Sequence, residues 1–155
     1  MVIQRWQSLF LLLAGALMVA FTFTSLGQFQ LTGYTLNFFT WGIFSEGVPT
    51  DGSQSFVQRT LYLLVLACLG IALPLISIFL YRNLKLQKRV VALAIFFNIA
   101  LIAVTAVVGY CTIEGAHVGW SAIVFSPFVA LVLEIISWRM INSDKKTIEQ
   151  ADRLR

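Results

Sequence analysis

Residues 61–81 read LYLLVLACLGIALPLISIFLY, 21 residues without one charged side chain. At 1.5 Å per residue, a helix of about 20 residues covers the ~30 Å hydrocarbon core of a bilayer. Three further stretches fit the same reading. They lie at about 9–26 (LFLLLAGALMVAFTFTSL), 90–109 (VVALAIFFNIALIAVTAVVG) and 119–138 (GWSAIVFSPFVALVLEIISW). Across the 155 residues, 59% are apolar and 12% charged, against about 25% charged in an ordinary soluble domain. That excludes a water-soluble fold, which needs more polar surface. It also excludes disorder, because disordered chains are poor in the Leu, Ile, Val and Phe that dominate here. The reading is an all-α integral membrane protein, one antiparallel bundle of four transmembrane helices over residues 1–155. The first stretch is expected to remain uncleaved, being long for a signal-peptide core and lacking a clear small-x-small cleavage site.

Basic residues orient the spans. Arg5 precedes the first. Arg82, Lys85, Lys88 and Arg89 join the second to the third, and Arg139, Lys145, Lys146, Arg153 and Arg155 follow the fourth. Ten of the eleven basic residues therefore fall on one side and only Arg59 on the other. Both termini are expected to be cytoplasmic. The net charge of +4 thus reflects topology, and no nucleic-acid partner is expected. The extracytoplasmic connection, 27–60, carries FQLTGYTLNFF, with a Thr32-Gly33 turn signal between β-branched and aromatic residues, which predicts a short hairpin. Gly47, Pro49, Asp51, Gly52 and Ser53 read as loop. In the tail, 139–155, Ile141, Ile148, Ala151 and Leu154 recur at helical spacing and predict a short amphipathic surface helix.

Helices in lipid gain little from apolar contact with one another, so small and weakly polar residues mark their seams. Each span has such a stripe: Gly15, Met18, Thr22 and Ser25; Ala67, Gly70, Pro74, Ser77 and Tyr81; Ala94, Asn98, Leu101 and Thr105; Ala122, Ser126, Ala130, Leu133 and Ser137. Asn98 sits near the middle of its span and is expected to hydrogen-bond a neighbouring stripe. Glu134, the only carboxylate within a span, sits near the cytoplasmic end and is expected to snorkel or to pair with Arg139 or Arg82. A transport path, if there is one, has Asn98, Thr105, Ser126 and Glu134 as its candidates.

No catalytic constellation, cofactor motif or metal site is legible. Cys111, Glu114 and His117 have no recognised zinc spacing, and Cys68 and Cys111 are expected to be free thiols. The loop's aromatic residues, Phe38, Phe39 and Trp41 among them, are too many for a solvated connection. They read as interface anchors or as a docking surface for another membrane protein.

The opening IQRWQSLFLLLA, the passage PLISIFLYRNLKLQKRV and the terminal ADRLR resemble an uncharacterised family of small Bacteroidetes-type inner-membrane proteins, known only as a four-span domain of unknown function. The resemblance covers essentially the whole chain. It implies a bacterial inner-membrane location and the same topology, and it brings no activity or cofactor. It also suggests that Arg5, Arg153 and Arg155 share a cytoplasmic contact surface with Arg82, Lys85, Lys88 and Arg89. The expected function is that of a non-enzymatic accessory or scaffold subunit. Its partners are membrane lipid and another integral membrane protein or a second copy. A small oligomeric transporter or channel is the alternative, and a membrane enzyme acting on lipid or quinone is a third reading that an aromatic-lined apolar pocket with a bound lipid tail would favour.

Overall fold

The computed structural model describes residues 2–31, 34–46, 55–81, 83–112 and 117–153. Among them, four long helices account for most of the chain: α1 (Val2–Phe23), α2 (Leu61–Phe79), α3 (Leu84–Thr112) and α4 (Ser126–Arg153). All four are long and apolar enough to cross a membrane, over Trp6–Phe23, Leu61–Phe79, Leu84–Cys111 and Ala122–Asp144. Each buries one face in steps of three and four residues. On α2 this face is Leu63, Ala67, Gly70, Pro74 and Ser77; on α3 it is Gln87, Val91, Ala94, Asn98, Leu101, Thr105 and Val108. Gln7, Leu11, Ala14, Met18 and Phe21 do the same for α1, and Ser126, Ala130, Glu134, Ser137 and Ile141 for α4. This near-seven-residue repeat is the one that lets side chains of neighbouring helices interlock.

Each helix packs on the next, and α4 closes the ring on α1. Facing pairs run in opposite directions: Gly70 meets Met18 while Gly15 meets Leu75, and Asn98 meets Glu134 while Lys88 meets Asn142. The outer surface is Leu, Ile, Val and Phe, with Phe79 79% and Phe96 63% exposed. In water so wide an apolar belt would aggregate, whereas in lipid it is ordinary. These are the features of a multi-pass membrane protein.

The expected inner stripes hold with two exceptions. Tyr81 and Ala122 are exposed, because Tyr81 lies beyond the end of α2 and Ala122 in the single 3-10 turn (Ala122–Phe125) that precedes α4. The tail is also corrected. No separate surface helix follows residue 138, since α4 continues unbroken to Arg153. Ile141 is fully buried with Leu11 and Val91, and that contact carries the bundle past Arg139.

The chain is not all-α. A five-stranded antiparallel sheet, in the order β4-β3-β2-β1-β5, covers one end of the bundle. Its strands are β1 (Gly27–Leu31), β2 (Tyr34–Phe39), β3 (Gly42–Glu46), β4 (Ser55–Arg59) and β5 (His117–Trp120). The predicted hairpin is β1–β2, with Leu31 opposite Tyr34. Residues 47–54, read as loop, lie outside the described residues, as does Glu114.

Period-two alternation gives the sheet two faces. Phe29, Leu36, Phe38 and Ile43 share one, and they join Met18, Phe21, Leu26, Leu63 and Val108 in the main core. Backbone bonds from Leu26 to Phe38 and from Ser121 to Leu26 seat the sheet on the bundle. Thr60 would ordinarily cap α2 with its side chain. Here its hydroxyl donates instead to the Thr40 carbonyl at 3.1 Å, and the Thr40 hydroxyl donates to the Thr22 carbonyl at 2.7 Å. The cap is given up to tie helix to sheet.

Gly70 lets α1 and α2 approach closely: a Cβ there would lie 2.7 Å from the Met18 terminal methyl. That methyl ends a flexible side chain and can move aside, while Gly→Ala gains about 1 kcal/mol of helix propensity. Gly70→Ala should therefore stay within about 1 kcal/mol of the parent stability, read by denaturant titration in mixed micelles. A loss well above that would mean the α1–α2 seam is rigid at Met18.

Candidate functional site

The repeat that buries one face of α3 and of α4 also buries polar residues, because Gln87, Asn98 and Thr105 share the α3 face and Ser126, Glu134 and Ser137 the α4 face. Where α3 and α4 meet, the Asn98 side-chain Nδ2 donates to Glu134 Oε2 at 3.4 Å, and both residues are fully buried. Their other oxygens, Asn98 Oδ1 and Glu134 Oε1, have no partner, and neither has the Ser137 hydroxyl one turn along α4. Thr105 Oγ1 and Ser126 Oγ, toward the sheet, are unpartnered as well.

The four residues singled out as path candidates are thus all buried on facing helices. Asn98 meets a neighbouring stripe as expected. The expectation for Glu134 is corrected among the described residues: it is fully buried rather than snorkelling, its partner is Asn98, and Arg139 is exposed, while Arg82 lies outside the described residues. Glu134 lies near the centre of the apolar stretch Ala122–Asp144 rather than near its end, because the helix packs on for more than a turn past Arg139. From Asn98 toward the sheet, together with Ser137 one turn the other way, the seam offers one carboxyl, one amide and three hydroxyls, all buried.

Closer to the sheet, a cleft of about 140 Å³ opens between α3 and the start of α4. Phe21, Ile102, Thr105, Ala106, Trp120, Val124, Pro127 and Phe128 line it. Its floor is the buried Phe21, and its rim includes the exposed Ala106 and Phe128. The Trp120 ring lies directly on Gly109 and meets Phe29 edge-on at 5.6 Å. Sequence reasoning missed the cleft. Its lining comes from five separate elements, and no local pattern joins them.

A family model described as Domain of unknown function (DUF4293) matches residues 3–154. The chain belongs to this family. Comparison with proteins of curated function finds no match. In this DUF4293 chain the match spans all four helices and the whole sheet, so the seam and the cleft both lie inside the family domain.

The expected interaction residues of this DUF4293 chain fall in two groups, the aromatic residues on the sheet and the basic residues at the other end of the bundle, and the structure describes only some of the second group. Phe38 is 1% exposed and belongs to the core, which removes it as a docking residue, since it points inward with Leu36 on the same strand. Phe39 and Trp41 are half-buried and stacked at 4.9 Å, with Phe44 edge-on to Phe39 at 5.8 Å. Lys85 and Arg89 are exposed. Lys88 is engaged internally: its Nζ donates to Asn142 Oδ1 at 2.7 Å and sits 4.9 Å from the centre of the Trp138 ring. The side chains of Arg5 and Arg153, and residues Arg82 and Arg155 entirely, lie outside the described residues. At the same end of the bundle, Gln7 Nε2 donates to Asp144 at 2.6 Å and Gln87 Nε2 to the Ser77 carbonyl at 3.2 Å. Among the described residues, no three His, Cys, Asp or Glu side chains group as a metal site.

Proposed function

We propose that the chain is a non-enzymatic accessory or scaffold subunit of a bacterial inner-membrane complex, with both termini in the cytoplasm. The orientation rests on ten of eleven basic residues falling on one side of the spans. The observation that carries the role is the Phe39–Trp41–Phe44 cluster. Phe39 and Phe44 stand on the paired strands β2 and β3, and Trp41 on the two-residue turn that joins them. Aromatic side chains preset on a rigid element lose little entropy on contact, which suits them to anchor a protein interface.

The test is purification from the native membrane in mild detergent, with everything that accompanies the chain quantified by mass spectrometry. A stoichiometric integral membrane partner is expected, and Phe39→Ala with Trp41→Ala should lose it while inserting normally. Arg153→Glu with Arg155→Glu should weaken the same association through the cytoplasmic tail. A homo-oligomer without a partner would overturn the accessory reading.

That result would favour the second reading, a small oligomeric transporter or channel, which the buried Asn98–Glu134 pair supports. An intramembrane carboxyl with a named polar partner is a common mark of an ion or proton path.

A further inference from the structure

A side-chain amide reaches α4 at each of two carboxyls, and the two bonds differ. At the end of the bundle away from the sheet, Gln7 Nε2 donates to Asp144 Oδ2 at 2.6 Å. In the middle of the apolar stretch Ala122–Asp144, Asn98 Nδ2 donates to Glu134 Oε2 only at 3.4 Å. A hydrogen bond to an ionised carboxylate draws in to roughly 2.7–2.9 Å, so the Glu134 contact is too long for one. A charge there would also lack a counter-ion. Glu134 is the only ionisable side chain among the buried described residues, so the inner faces of α1, α2 and α3 bring it none. Lys88 is bonded to Asn142, two turns farther along α4, and Arg139 is exposed. A lone charge in an apolar interior neutralises rather than persists.

The unused atoms of the pair are suited to that. Asn98 Oδ1 and Glu134 Oε1 are both buried acceptors without a partner. Each shares its carbon with an atom of the existing bond, so both belong to one contact, and the last side-chain torsions bring them face to face. Two bare acceptors repel. One proton, taken up from water, makes a donor of Oε1 and satisfies both. Acid and amide then close a ring of two hydrogen bonds, Nδ2–H to Oε2 and Oε1–H to Oδ1. A metal cation fits less well. Hard cations collect about six or more oxygens, whereas the unpartnered oxygens described here are these two and the Ser137 hydroxyl one turn along α4.

We infer that Asn98 and Glu134 form a proton-binding site inside the bundle, with the proton covalently on Glu134 Oε1 and donated to Asn98 Oδ1. This gives the residues of the second reading a ligand, yet it rests on neither reading, because it concerns occupancy and not transport.

The test is infrared difference spectroscopy of the full chain in an ester-free maltoside detergent near neutral pH, where an ordinary carboxyl is ionised. The parent spectrum minus that of Glu134→Gln is expected to show the carbonyl stretch of a carboxylic acid, moved down in D2O, and no carboxylate band. Glutamine keeps a donor and an acceptor where the acid had them, so this variant should fold. Asn98→Leu removes the proton acceptor and should keep the acid stretch but shift it to higher frequency. Circular dichroism confirms the fold of both, and the parent-minus-glutamine spectrum decides occupancy by itself if Asn98→Leu does not fold. A carboxylate band in place of the acid stretch overturns the inference. So does an acid stretch that Asn98→Leu leaves unmoved, since the proton would then be held by another acceptor. Loss of the acid stretch when sodium chloride replaces choline chloride at fixed pH would show a metal-cation site and would also overturn it.

Discussion

Asn98→Leu should lower the unfolding free energy of the bundle by about 2–4 kcal/mol, although leucine is the more apolar residue. The interhelical hydrogen bond from Asn98 to Glu134 is worth only ~0.6–2 kcal/mol in membranes. The larger part comes from what remains. With Asn98 gone, Glu134 is fully buried with neither carboxyl oxygen bonded, and an orphaned buried polar group costs ~1–3 kcal/mol more. Glu134→Leu should cost about 1–3 kcal/mol by the same argument, because it orphans the Asn98 amide. The double variant, Asn98→Leu with Glu134→Leu, removes both groups and should return to within about 1 kcal/mol of the parent. Glu134→Gln keeps an oxygen that accepts from Asn98 and should be nearly neutral. Unfolding of the purified protein in mixed micelles, followed by circular dichroism, measures all four. If the two single losses simply add in the double variant, the side chains are uncoupled and the contact between α3 and α4 is not the one described.

The same contact marks the limit of what the residues alone could reveal. Small and polar stripes identified the inner faces, and Ala94, Asn98, Leu101 and Thr105 are all buried, because a helix in lipid has few other uses for such residues. Depth was harder. Arg139 read as the membrane boundary, which put Glu134 near an end and Asn98 near the middle. In the structure α4 runs through Arg139 to Arg153, held by Ile141 in the core and by Asp144 and Asn142 against α1 and α3. One exposed arginine did not end the helix, since its long side chain can reach outward, and the two polar residues came level.

The sheet was legible only where pairing is local. FQLTGYTLNFF announced β1 and β2 through a turn signal and alternation. Strand β5 pairs Trp120 with Gly27 and His117 with Gln30, partners separated by two whole helices. Four residues carry no periodic signal of their own, and only the closure of α3 and α4 on α1 brings them to β1. The cleft was illegible for the same reason, being a product of that closure.

Gly109→Ala tests that closure, and it should cost about 2 kcal/mol net. A Cβ at Gly109 would lie 2.9 Å from Trp120 Cζ2 and closer still to Cη2. At Gly70 the obstacle is the tip of a methionine, but here it is a rigid indole with nowhere simple to go. Its far edge meets Phe29, nearly perpendicular at 88°, and its backbone is paired with Gly27. Forcing a methyl into such packing costs ~1–3 kcal/mol, and the tight, rigid geometry argues for the upper end. The ~1 kcal/mol that alanine gains in a helix offsets part of this, unlike at Gly70, where it offsets nearly everything. Trp120→Leu in the Gly109→Ala background should recover most of the loss, because the smaller side chain clears the new methyl. Denaturant titrations of the two single variants and the double supply the coupling energy, and Trp120 emission should shift in Gly109→Ala as the ring is displaced. A Gly109→Ala protein with parent stability and unshifted emission would mean that Trp120 does not rest on α3. The ring would then brace neither the cleft nor the join between the sheet and the third helix.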